Sequence, residues 1–303
     1  MQHTSHLLMI KPVNFSFNAE TAVNNSFQTP SEEKNIQEKA RIEFETFIEK
    51  LKANDIDVTV VEDTLDPYTP DSVFPNNWIS FHDDGSICLY PMFALNRRKE
   101  RKPTVLSAIA EKFKVVETHD FTANEEKEQF LEGTGSMVLD RENRIAYACL
   151  SPRTHTSALE QFCVRMNYKP VAFTSVDIAG APIYHTNVMM CVADEYVIIC
   201  LESIKDVQEK DKVVAQILGS KKKIIEISFN QMNHFAGNML QVHNAKGQRF
   251  LVMSSQAYQA LDTNQINEIE QYNPIIHSDI KTIETNGGGS ARCMIAEIFL
   301  PLK

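Results

Sequence analysis

A chain of 303 residues that is 43% hydrophobic and 23% charged has ample material for a core and none of the bias of a disordered or fibrous protein. Forty acidic against 30 basic residues give a formal charge of −10, so the clustered Lys/Arg footprint of sequence-independent nucleic-acid binding is excluded. The length suits one large closed α/β architecture or two medium domains. The basic stretch at 221–223 reads as a solvated turn. The apolar run at 7–10 has no basic flank and is too short for a signal peptide or membrane anchor, so a cytoplasmic protein with no membrane partner is expected. Six cysteines contain no CxxC pair and read as reduced thiols, five of them small core hydrophobes.

In chain order, a strand at 7–10 precedes a helix that Thr29, Pro30, Ser31 and Glu32 mark as a capping box with proline at the first helical position. Ile36, Ala40, Phe44, Phe47, Ile48 and Leu51 continue it at spacings of three and four, and a strand follows at 56–60. Residues 77–90 then read as a hairpin around an Asp-Gly turn, followed by a helix at 103–113 and a strand at 114–117. Hairpin, helix and strand return at 136–150, 156–167 and 170–174, and again at 184–201, 205–218 and 223–228. A fourth copy has a hairpin at 238–253, helical pattern over 254–270 and a strand at 274–277. The remaining strand, within 292–300, joins the N-terminal strand–helix–strand as a fifth unit split across the termini. That implies a ring closed by pairing the first and last strands, which leaves few exposed edges. The alternative is an open parallel α/β sheet.

Four motifs stand where a unit begins its hairpin, so pseudo-fivefold symmetry would bring them together near the axis. Residues 70–78 (PDSVFPNNW) hold the only tryptophan, and residues 131–136 (LEGTGS) place a carboxylate before alternating glycines. In residues 184–190 (YHTNVMM), His185 and Asn187 share one face at the head of an apolar strand. Residues 286–290 gather three of only ten glycines just before Cys293, where backbone freedom and close approach to N–H groups would serve a reacting thiol. Each also has a plain structural reading: an aromatic-packing loop, a hairpin entry, a satisfied core histidine, and a loop before a last strand. No phosphate-binding loop, HxxxH pair or zinc spacing occurs, so neither cofactor nor metal is expected.

As an ordered set, PDSVFPNNW, LEGTGS, YHTNVMM and GGGSARCM resemble the arginine deiminase and amidinotransferase superfamily over nearly the whole chain. Within it the chain is most similar to citrulline-utilisation hydrolases, with dimethylarginine dimethylaminohydrolases nearer than arginine deiminases. The resemblance implies an α/β, five-bladed α/β-propeller (pentein) fold over 1–303 as a single catalytic domain. It also implies Cys293 as nucleophile, His185 as general acid/base and Glu132 as the carboxylate holding the substrate's nitrogens. Arg153 resembles the arginine that clamps the substrate carboxylate, with Arg97 and Arg98 as the other candidates.

That chemistry is coherent, because a ureido or guanidino carbon is a poor electrophile that needs a thiolate, and its nitrogen leaves only when protonated. Deiminases of the superfamily carry aspartate where this chain has Asn77, the last residue of a pattern beginning at Asp71. They carry Glu-Gly-Gly-Asp where this chain reads Glu132-Gly133-Thr134-Gly135, and some have His-x-Asp in place of His185-x-Asn187. An amide can donate to a neutral ureido oxygen and still accept from an N–H, whereas a carboxylate would repel that oxygen. The expected reaction is therefore citrulline to ornithine, ammonia and carbon dioxide, with Asp71, Asn77 and Asn187 at the substrate. Hydrolysis of dimethylarginine or arginine is the alternative, followed by a non-catalytic binding ring. The expected partner is a small amino-acid substrate, and homo-oligomerisation is left open.

Overall fold

The computed structural model describes residues 1–31 and 34–303. Its strands form five three-stranded sheets, each pairing one strand antiparallel and one parallel to a central strand. In the first sheet the central β1 (His6–Lys11) runs parallel to β2 (Asp57–Glu62). The second consists of β3 (Ile79–Phe81), β4 (Ser86–Leu89) and β5 (Glu117–Asp120). Then come β6 (Val138–Asp140), β7 (Ile145–Cys149) and β8 (Lys169–Phe173). The fourth sheet holds β9 (Met190–Val192), β10 (Tyr196–Ile199) and β11 (Lys223–Glu226). The fifth holds β12 (Leu240–His243), β13 (Arg249–Ser254) and β14 (Ile275–Ser278). The last strand, β15 (Ala296–Ile298), returns to the first sheet and pairs antiparallel with β1, His6 facing Ile298.

Each parallel pairing needs a crossover, and helices supply it: Ile36–Ala53, Pro103–Lys112, Thr156–Met166, Val207–Gly219, and a helix pair in the fifth unit. The antiparallel strands β3, β9 and β15 are buried along their whole length, whereas β5 is almost wholly exposed. Strand β15 packs against β3, and β9 against both β6 and β12, so the buried strands of successive sheets face one another. This arrangement brings the segments that enter those strands into one region.

Several local expectations are corrected. The first long helix begins at Ile36 after Asn35, whose left-handed φ of 67° carries no side-chain cap, and not at Pro30. Of the expected capping box, Glu32 lies outside the described residues. The helical pattern over 254–270 is two helices, Ser255–Ala260 and Thr263–Glu270, because Asp262 and Gln265 form a capping box that restarts the chain there. Lys222 is not in a solvated turn: it is buried, and its ammonium donates to the carbonyls of Ala193 and Asp194 at 2.8 and 2.7 Å. All six cysteines are free and buried.

Candidate active site

The buried strands are entered through tight turns, and these turns carry the polar residues. A 3-10 turn, Pro75–Asn77, presents Asn77, and a single helical turn at Gly133–Ser136 is flanked by Glu132. His185 and Asn187 do not head a strand: Asn187 lies in the helical turn Thr186–Met189, His185 is its N-cap, and β9 begins only at Met190. Cys293 lies three residues before β15, its N–H bonded to Ser290 O at 2.9 Å. A small cavity is lined by Asp71, Asn77, Arg97, Arg153, His185 and Cys293, together with the three consecutive glycines and Tyr184. Tyr184 ties two of these walls together by donating to Gly288 O at 2.5 Å.

His185 Nε2 lies 2.8 Å from Glu132 Oε2, and the carboxylate, an acceptor only, sets that nitrogen as N–H and leaves Nδ1 as the free base. Glu132 Oε1 accepts from Phe93 N–H at 2.9 Å, and the Arg153 guanidinium stands 3.6 Å from Oε2. Burial alone would raise the Glu132 carboxyl, but the Arg153 charge and the His185 bond outweigh it and hold it at about 2. Burial pushes His185 down to about 4 against the pull of Glu132. At neutral pH the pair is thus carboxylate and neutral imidazole.

Arg97 is saturated. It grips Glu100 through Nε and Nη2, both at 2.9 Å, and gives Nη1 to Asn77 Oδ1 at 2.8 Å. That last bond orients the Asn77 amide and leaves its NH2 buried without a partner. Arg153 donates to Asn24 Oδ1 and Thr21 O, holding the segment that covers the cavity. Asp71 Oδ2 accepts from Asn18 and Thr21 at 2.7 and 3.1 Å, its Oδ1 is unpartnered, and burial raises its carboxyl.

Three expectations change. Glu132, expected to hold the substrate's nitrogens, does not line the cavity, because its two oxygens are turned to Phe93 N–H and His185 Nε2. Arg98 does not line the cavity: its Nε donates to Met92 O and stands 3.5 Å from Glu125, because its neighbour Arg97 takes the inward-facing position. Asn187 does not line it either. Its amide stands behind the thiol, with Nδ2 3.5 Å from Cys293 Sγ. A residue not singled out from the sequence, Asn238, brings its Nδ2 within 3.2 Å of the same sulfur. Its signal was positional, since it opens the fourth hairpin at the phase at which Asn77 opens the first.

Comparison with solved structures agrees with this fold. The N-terminal domain of ArgZ, a cyanobacterial arginine dihydrolase, in a substrate-bound serine variant, superposes with a TM-score of 0.77 at 16% identity, covering 98% of both chains. Unliganded AgrE gives 0.76 at 16% identity over 98% of this chain, which spans 40% of AgrE. A dimethylarginine dimethylaminohydrolase adduct with S-methyl-L-thiocitrulline gives 0.64 at 14% identity, covering 98% and 100%. No curated protein sequence matches. Fold and sequence together define a hydrolase of C–N bonds in the pentein, or arginine deiminase/amidinotransferase, superfamily. Within it the chain belongs to the family described as N,N dimethylarginine dimethylhydrolase, eukaryotic, whose profile matches residues 11–300.

Proposed function

We propose that residues 1–303 form one catalytic domain, a closed five-bladed ring, that hydrolyses the ureido group of free citrulline in the cytoplasm. The observation that carries this reading is the state of Asn77. Arg97 occupies its oxygen, so the amide offers only a buried, unpaired N–H donor, which suits a carbonyl oxygen and gives nothing to a guanidinium. Charge points the same way. Arg97 is offset by Glu100 and Arg153 by Glu132, which leaves Asp71 as the one carboxylate lining the cavity for a cationic head group, and burial disfavours its charged form.

In this mechanism the Cys293 thiol gives its proton to His185 Nδ1, Sγ attacks the ureido carbon, and the resulting imidazolium protonates the departing ornithine nitrogen, which leaves a carbamoyl group on sulfur. Water, deprotonated by the same imidazole, then cleaves the carbon–sulfur bond, and the released carbamate breaks down to ammonia and carbon dioxide. Glu132 holds the tautomer of His185, and Arg153, beside the cavity, is the group for the substrate carboxylate. Six free cysteines accord with a reducing compartment.

Guanidino hydrolysis of methylated arginine or arginine is the second reading, favoured by the family profile and by the activities of the structural neighbours. Purified protein should release ornithine from citrulline faster than it converts dimethylarginine or arginine, and Cys293→Ser should lose at least about 99% of that activity, roughly 3 kcal/mol of barrier. Preference for a guanidino substrate would replace the citrulline reading; an active Cys293→Ser protein would overturn the covalent mechanism.

A further inference from the structure

Asn77 and Asn238 stand two residues before β3 and β12, and Asn187 and Cys293 three residues before β9 and β15, so the repeat gathers three amides and one thiol where the chain enters these strands. Asn77 is turned toward the cavity by Arg97, whereas Asn187 and Asn238 converge on sulfur, with Nδ2 3.5 and 3.2 Å from Cys293 Sγ. Asn238 is the more firmly held of the two. Its oxygen accepts the Arg292 backbone N–H at 3.0 Å and the second hydrogen of its amide goes to Asn187 O at 2.9 Å, so its remaining N–H has one direction left. The side chain is wholly buried.

We infer that Asn238, supported by Asn187, is a catalytic residue that seats the Cys293 thiolate by donating to sulfur from the side opposite the substrate cavity. The inference rests on the reading of Cys293 as nucleophile. A hydrogen bond to the charged form of an acid favours that form, and an N–H aimed at sulfur stabilises thiolate far more than thiol. The site has few other means to do so. His185 is neutral at pH 7 with Nε2 held by Glu132, and the charges of Arg97 and Arg153 are offset by Glu100 and Glu132. Removing the sulfur's nearest donor should therefore show in the ionisation of Cys293 and not only in turnover.

The test is the pH dependence of Cys293 alkylation by iodoacetamide, read by mass spectrometry of the Cys293 peptide, alongside the pH profile of kcat/KM. In Asn238→Ala the alkylation midpoint should rise by about one pH unit, a tenfold loss of thiolate below it, and the acid limb of kcat/KM should move with it while KM changes little. Asn238→Asp keeps the shape and the acceptor for Arg292 N–H, so it serves if the alanine variant does not fold; its carboxylate should raise the midpoint further. A folded variant whose alkylation midpoint is unchanged overturns the inference, whether or not its activity falls. The alkylation readout needs no turnover, so it stands apart from a failure of the citrulline reading.

Discussion

A β-carbon on Gly135 would stand 2.3 Å from Asn77 Nδ2 and 2.8 Å from His185 Nδ1, closer than any real side chain tolerates. The backbone of the third unit thus approaches the two groups on which the proposed chemistry depends, and only hydrogen fits between them. Gly135→Ala should leave the protein folded, since the residue is not in a left-handed conformation, yet displace the imidazole and the amide. Its kcat/KM should drop at least tenfold, about 1.4 kcal/mol of barrier, with the melting temperature little changed. Unaltered kinetics in the alanine variant would mean that this close approach has no part in positioning. The glycine was visible in the sequence as half of a weak Gly-x-Gly signal, but what it approaches was not, because its neighbours come from other units 58 and 50 positions away in sequence, as Asn77 and His185.

Among the elements, local rules worked where local bonds decide the outcome. The hairpins at 79–89, 138–149, 190–199 and 240–254, and the helices that follow the first three, were legible, because alternation and three-to-four spacing are properties of one segment. They failed where a cap outranked periodicity. Over 254–270 the apolar spacing runs on, but Asp262 accepts from Gln265 N–H at 2.9 Å and Gln265 returns the bond to Asp262 N–H at 2.9 Å, which starts a new helix. Asp262→Ala should cost about 1 kcal/mol in chemical denaturation, the usual worth of an N-cap, without affecting catalysis. A loss near zero would show that helix Thr263–Glu270 is held by packing alone. The segment at 184–189 failed for another reason: its residues are strand-like in pattern, but the chain must turn there to bring His185 and Asn187 inward.

For the molecule as a whole, buried ionisable groups make stability depend on pH with two opposite signs. Burial lowers His82 to about 3 and His185 to about 4 from an ordinary 6.5. The unfolded chain therefore binds these protons first, and the two histidines withdraw stability as the pH falls from about 6.5 toward 4. Glu284 behaves in reverse, because burial beneath Ser290 raises it to about 7, so its contribution is present below about 4.5 and is lost as the pH rises through 7. Relative to wild type, His185→Asn should gain stability on acidification from pH 6.5 to 4.5, and Glu284→Gln should gain it on going from pH 5 to 8. Denaturant titrations at four pH values would decide it; differences that do not vary with pH would contradict the assigned ionisation states.

Pairing of β1 with β15, the repeated unit and the order of the four motifs could all be read from the chain, since each rests on patterning within a segment or on a count of segments. Cys293, His185 and Glu132 could be singled out as candidates too, although through the company of motifs and not through any one of them. Which way a buried amide or guanidinium points was beyond that reading. Asn77, Asn187 and Asn238 all stand within three residues of the strand they lead into, yet one faces the cavity and two face the thiol, and Arg97 turns inward while Arg98 turns toward Glu125. For Asn187 and Asn238 the choice is set by Cys293, which another unit contributes, and even Asn77 and Arg97, partners within one unit, stand 20 residues apart, so these contacts leave no trace in local sequence spacing.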